Sequence, residues 1–376
     1  MKMEFCTFPE LIEERDRFLK NYGIERLAIC PIEEIKNIKP KEKRKCRFCG
    51  RDYSQTTFNN ISHIIPELLG NKYLISDFEC DSCNDFFGKK YENNLANFLG
   101  VSRTLSGVKS KDNKIPIFNS SGYKLLAKRK EFYGIKDGIS LSLPTLAKGI
   151  FTIDDRAGKA EIKFLKPSYV PIKVYKAFLK VALSIIPEKY VDDYKYAFQH
   201  LKEDDNFFSE VAKIAYYELP HNHSVANPIC FLFRKFEPKN RIPNHVFALY
   251  FQSYIFQFPL PFSLTDKNNG LYNGSPSSVT LCPPILFSEP KLGAKYFRII
   301  KDFSSQNNIK EEEFITFSFE PNIMSDLKAY DIKTGEVTDI TFNPEDIAEI
   351  YMVPYDSKLS LFDNSDLSEE PNNLTD

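Results

Sequence analysis

The sequence predicts an α+β fold in which a small cysteine-built unit near the N-terminus joins a larger, strand-rich mixed α/β module. Three observations carry that expectation. Four of the eight cysteines stand in two matched pairs, Cys46-x2-Cys49 and Cys80-x2-Cys83. The chain carries 33 Phe and 20 Tyr but no Trp, and aromatic side chains favour the pleated, half-buried surface of a strand. From about residue 115 onward, short apolar or alternating runs are punctuated by Pro, Gly and Asp, as strands and turns require.

With 376 residues, 42% of them hydrophobic, the chain is long enough for two or three domains with buried cores. Residues 1–40 read as a helix and a basic connector, 41–107 as the cysteine-built domain, and 108–355 as the mixed α/β domain. The acidic stretch 356–376 reads as a disordered tail. Residues 8–21 form a short amphipathic helix stopped near Gly23. Phe87, Tyr91, Leu95 and Phe98 recur at helical spacing and predict a helix over 84–99. The runs IPIF, GISLSL, GIFTID and AEIKFL predict strands between 115 and 165. Pro171 opens a helix that Pro187 ends. Its apolar stripe is Ile172, Tyr175, Phe178, Leu179, Ala182, Ile185 and Ile186, with Lys173, Lys176 and Lys180 off the stripe. A second helix is expected over 190–202 and a third over 207–217. Beyond 229 the pattern returns to strands, in ICFLFRKF, HVFALYFQSYIFQF, YFRII, FITFSF and VTDITF.

A net charge of −1 excludes a globally basic surface, so any contact with nucleic acid must be local. One such patch is the segment from Lys36 to Arg51, with eight Lys or Arg against Glu42 alone. Lys43, Arg44, Lys45, Arg47 and Arg51 there, with Lys89, Lys90 and Arg103 further on, are the candidate phosphate contacts. No apolar run has the length of a membrane span, and the acidic N-terminus lacks the apolar stretch of a signal peptide. A cytoplasmic protein without a membrane partner is expected. In that reducing compartment, paired cysteines point to a metal rather than to disulfides. Two Cys-x2-Cys turns supply the four soft thiolates of a closed, structural Zn2+ site. Gly50 suits the tight turn after the first pair. Cys6, Cys30, Cys230 and Cys282 stand alone and read as small buried side chains.

Between the pairs lies Ser62-His63-Ile64-Ile65-Pro66, followed by Gly70-Asn71, and the second pair runs directly into Asn84-Asp85-Phe86-Phe87-Gly88. With these landmarks the stretch from Cys46 to about Gly107 resembles the HNH endonuclease family, in particular its subgroup with paired knuckles. The resemblance implies a ββα-metal fold and a metal-dependent endonuclease acting on DNA, double-stranded in the first instance. It also implies a general-base role for His63 and a catalytic divalent ion, Mg2+ or Mn2+, held in part by Asn84. An imidazole suits proton transfer near neutral pH, and an amide oxygen suits a hard cation. Ser62 stands where the family usually carries an acid or a histidine that binds this ion, and so is a tentative ligand. Gly88 stands where some members carry another ligand. Asp81, Asp85 and Glu92 are nearby carboxylates that could complete the shell. If none does, the alternative is a zinc-stabilised DNA-binding protein with weakened catalysis. A small nuclease unit with a larger partner module is similar to prokaryotic restriction and anti-phage defence nucleases. That module would then serve targeting, homodimer formation, or regulation by a small molecule or protein.

Overall fold

The computed structural model describes residues 5–31, 33, 38–110, 112–120, 123, 125–132, 135–143, 149–271, 281–291, 294–318, 321, 328–330, 334, 336–339 and 349–352. In the first part of the chain these form α1 (Ile12–Asn21), β1 (Tyr22–Ile29), β2 (Ser62–His63), β3 (Ile75–Ser76), α2 (Asp81–Phe87), α3 (Asn93–Leu99), α4 (Ser102–Leu105), β4 (Phe118–Asn119), β5 (Leu126–Phe132), β6 (Ile135–Ser142), β7 (Phe151–Asp154) and β8 (Lys159–Leu165). There follow α5 (Pro171–Ile185), α6 (Lys195–His200), β9 (Lys213–Glu218), β10 (Val225–Lys235), β11 (His245–Gln252), β12 (Tyr254–Pro259), α7 (Leu264–Asn268), β13 (Phe297–Asp302), β14 (Glu312–Ser318), β15 (Lys328–Tyr330), β16 (Val337–Asp339) and β17 (Glu349–Met352). The tail 356–376 lies outside the described residues, as do Lys36 and the last residues of VTDITF. Among the described residues, no helix is long and apolar enough to cross a membrane.

The chain divides into two discontinuous units, 1–96 with 169–309, and 97–168 with 310–376. This differs from the linear boundaries 41–107 and 108–355. The physical reason is that α5 and the strands β9 to β13 close onto the chain that precedes residue 97, while β14 and β17 pair with β8 and β6.

The first unit is built on a six-stranded antiparallel sheet in the order β1-β10-β11-β12-β9-β13. Antiparallel sheets often leave one face to water and then alternate in polarity. Here both faces are covered, so β11 reads as an unbroken buried run from Val246 to Phe251. On one face α5 packs Phe178 against Phe256, with ring centroids 4.6 Å apart, and Tyr175 against Phe258 at 5.4 Å. On the other, Phe8, Phe18 and Tyr22 join Phe231, Phe233 and Tyr250 in one apolar cluster. Every residue of α5 except Lys173 is buried. Lys176 and Lys180, expected off the apolar stripe, are therefore inside, where an ammonium needs partners.

Residues 213–218 form a strand where a helix over 207–217 is expected. A two-residue period prevails there: Tyr216 stacks on Tyr254 at 5.5 Å, while Tyr217 enters the opposite cluster. The helix expected over 190–202 contracts to two short turns and α6. In the second unit, a three-stranded sheet β14-β8-β7 and a four-stranded sheet β17-β6-β5-β4 contribute to one core. Leu125, Ala127, Leu141, Ile162, Phe164 and Ile315 belong to it.

Two tests of this packing follow from its geometry. Phe178→Ala should lower stability by about 3–5 kcal/mol, read as a shift in the urea midpoint, because Phe178 is wholly buried. A change within the scatter of surface variants would contradict the packing. His245 is also wholly buried, and its Nδ1 lies in hydrogen-bond contact with the Tyr194 hydroxyl at 2.9 Å. Burial first, then Arg234, Lys235 and Lys189, pushes its pKa down to about 3 from 6.5. Below 6.5 the unfolded chain takes up a proton that the folded chain refuses. Stability should therefore fall as pH drops from 6.5 toward 3. His245→Gln should flatten that slope in urea titrations run between pH 7 and 4.5, and an unchanged slope would count against the assignment.

Candidate metal centre and active site

The first Cys-x2-Cys turn closes through Gly50, whose N–H donates to the Cys46 carbonyl at 2.8 Å and whose φ is +73°. That left-handed conformation is one a side chain resists. Cys80 and Cys83 flank the start of α2, and the Asn84 N–H donates to the Cys80 carbonyl at 2.9 Å. The four sulfurs all lie within 4.8 Å of one another, and Cys49 Sγ is 3.7 Å from Cys80 Sγ. A zinc–sulfur bond of about 2.3 Å gives a tetrahedron with an edge of about 3.8 Å, so this donor set fits a four-thiolate zinc. The surroundings suit anionic sulfur. The Cys80 N–H points at Cys46 Sγ at 3.5 Å, and Lys202 Nζ lies 3.6 Å from Cys83 Sγ. A hydrogen bond from Cys83 is the main cause holding the Cys46 thiol down at about 4, and Cys83 itself is pushed up.

Around this cluster the hairpin β2–β3 consists of two residue pairs, Ser62 with Ser76 and His63 with Ile75. Its loop is tied by Asn71, wholly buried, whose amide donates to the carbonyls of Ile65 at 2.6 Å and Leu74 at 3.0 Å. Gly70, at φ +95°, ends the turn before it. His63 closes β2 with its side chain 14% exposed. Its Nε2 lies 3.3 Å from the Lys72 carbonyl and 3.9 Å from Glu67 Oε1. Asn84, in the first turn of α2, is half-buried.

Ser62 is placed differently from the expectation of an ion ligand. It is 1% exposed and its hydroxyl donates inward to the Glu79 carbonyl at 3.4 Å. The alternation of a strand explains this, since His63 and Ser62 must point to opposite faces. The nearby acids also separate in role. Asp81 accepts from the Thr57 hydroxyl and from the Asn59 and Asn60 N–H groups, which pins the preceding loop. Asp85 pairs with Lys89 at 2.8 Å. Glu92 is half-buried, and burial pushes its carboxyl up against the opposing pull of Lys180, with Glu67 adding to the rise.

Two interactions here were not visible in the sequence. Glu79 is buried and its Oε2 lies 2.9 Å from Lys180 Nζ, on α5. The same ammonium donates to the His63 carbonyl at 2.8 Å, across 117 residues of sequence. No spacing signal connects residues so far apart.

The candidate phosphate contacts divide as well. Lys43, Lys45, Arg51 and Lys89 are exposed. Arg44 donates to the Lys39 carbonyl at 2.8 Å, and Lys90 pairs with Asp204 at 3.1 Å. Arg47 turns the other way: its guanidinium reaches the carbonyls of Ser184 at 3.0 Å and Ile186 at 2.9 Å, and lies over the Phe78 ring at 3.9 Å. It thus serves the C-terminal end of α5. Arg103 belongs to the second unit. His200 meets Glu203 at 2.7 Å and Asp205 at 2.6 Å in a separate polar cluster.

Zinc in a structural site contributes on the order of 10 kcal/mol to folding. Purified protein should hold one zinc per chain by elemental analysis. Cys83→Ser should lose it and melt at a markedly lower temperature. A variant that keeps full zinc and the wild-type melting point would contradict the four-sulfur site.

Among curated proteins and among solved structures, nothing matches the chain. Residues 46–99 match the family model described as HNH endonuclease, and this span holds both cysteine pairs, His63 and Asn84, so the chain carries an HNH endonuclease domain there.

Proposed function

We propose that the protein is a divalent-metal-dependent endonuclease that hydrolyses phosphodiester bonds of double-stranded DNA, with a ββα-metal active site and His63 as general base. The observation that carries this reading is the setting of His63. It stands at the end of a hairpin strand, partly open to solvent, between the two cysteine pairs in the sequence and within the segment matched to the HNH endonuclease family.

The contact of His63 Nε2 with the Lys72 carbonyl at 3.3 Å supports the tautomer with the proton on Nε2, because a carbonyl only accepts. Nδ1 is then the basic nitrogen. A water molecule gives its proton to Nδ1 as its oxygen attacks phosphorus, and the bond from phosphorus to the leaving sugar oxygen breaks. Asn84 and Glu67 offer hard oxygen donors of the kind Mg2+ or Mn2+ takes. Such an ion, when bound, offsets charge on the phosphate and the leaving oxygen. The exposed Lys43, Lys45, Arg51 and Lys89 would meet the DNA backbone. The second unit would act in targeting, dimerisation or regulation.

One observation favours a second reading. Ser62, in the position where the family usually has an acid, is buried and turned inward. Without a carboxylate there, the domain would bind DNA in a salt-sensitive way and cleave weakly or not at all.

Incubation of supercoiled plasmid with Mg2+ or Mn2+ separates the two. The first reading expects nicked or linear product. It also expects a loss of about 10²–10⁴ in rate for His63→Ala at unchanged zinc content. Binding without cleavage under either ion supports the second reading, and equal cleavage by His63→Ala would remove His63 from the chemistry.

A further inference from the structure

We propose that Lys180, held in place by Glu79, is a positioning residue for the His63 imidazole, so that α5 rather than the hairpin alone sets where the base stands. The inference rests on the nuclease reading of His63. The hairpin that carries His63 has only two residue pairs. Isolated two-stranded hairpins are marginal even when longer. His63 is the last residue of β2, and its carbonyl faces Lys180 Nζ, which donates to it at 2.8 Å.

The donor is itself fixed. Lys180 and Glu79 have side-chain exposures of 4% and 0%, and Nζ lies 2.9 Å from Glu79 Oε2. The rings of Phe48 and Phe87 stand 5.9 and 5.8 Å from the ammonium, shielding it from solvent. Glu79 immediately precedes Cys80, so the ammonium joins the His63 backbone to the second cysteine pair. On the ring side, the Lys72 carbonyl and Glu67 orient the imidazole. The backbone is thus held from one direction and the ring from another.

Burying an ion pair is a poor route to stability, because desolvation of both charges offsets most of their attraction. An apolar residue at position 180 would continue the packing of α5, which is buried on nearly every side. A lysine that reaches the backbone of the proposed base therefore points to a geometric task. The expected size of that task is that of an outer-shell partner, about 10–100-fold in rate.

Removing Lys180 alone would strand the Glu79 carboxylate in the interior, so the test uses the double variant Glu79→Gln/Lys180→Met, which removes both charges of the pair. Zinc content and melting temperature report the fold. The proposal expects kcat for plasmid cleavage to fall by about 10–100-fold with KM little changed. In a His63→Gly background, imidazole added to the buffer supplies a base that no backbone holds. There the rescued rate should be the same with or without the double variant. A rescued rate that falls in the same proportion would mean general damage and overturn the proposal.

A readout independent of cleavage separates this inference from the nuclease reading. The chain has five histidines, and the His63 ring signal in a histidine-labelled NMR spectrum is assigned by its loss in His63→Ala. In the double variant that signal alone should shift or broaden. If wild-type protein cleaves no DNA, the nuclease reading fails while this shift still supports the positioning role. A folded, zinc-loaded double variant with wild-type kcat and an unchanged His63 signal would overturn the proposal.

Discussion

The convergence of four cysteine sulfurs on one centre is the constraint on which the rest of the site depends. The segment from Cys46 to Leu95 has few core residues of its own, chiefly Phe48, Phe58, Ile65, Leu69, Phe87 and Tyr91. Its hairpin strands are two residues long. Elements that short do not bury enough apolar surface to offset the entropy of ordering their loops. A metal held by these four sulfurs, drawn from both ends of the segment, would supply the missing cohesion. Two of those sulfurs, from Cys80 and Cys83, lie at the start of α2, which also carries Asn84.

A second layer of constraint comes from charges placed inside. Arg47 engages the last carbonyls of α5 from the first cysteine turn, and Lys180 reaches back from α5 to Glu79 and His63. These contacts run in opposite directions between the same two pieces of chain. Together they tie α5, a helix packed on the large sheet, to the segment that matches the HNH endonuclease family. Such buried polar contacts add little net stability, but they admit few alternative arrangements. That logic fits a site whose proposed base sits on an otherwise weak hairpin.

Much of this architecture was legible in the sequence. The matched Cys-x2-Cys spacing identified the sulfur cluster because thiol pairs at that interval have few other uses. The apolar stripe and flanking prolines located α5 to within a residue, and the aromatic runs located β10, β11 and β12. Several features were hidden for physical reasons. Residues 126–132 read LAKRKEF, and their charges mask the strand β5. Lys180 stood off the predicted apolar stripe because a stripe reports one helix face, while α5 is buried at every position except Lys173. The role of Ser62 depended on which face of a two-residue strand it takes, and only pairing with β3 decides that. The discontinuous units arise from contacts between distant segments, which local patterns do not encode.

The most direct measurement of the central claim is zinc X-ray absorption on the intact protein. Four sulfur atoms at about 2.3 Å should fill the first shell, drawn from Cys46, Cys49, Cys80 and Cys83. A first shell containing nitrogen or oxygen, or a protein that folds fully with no zinc bound, would contradict it.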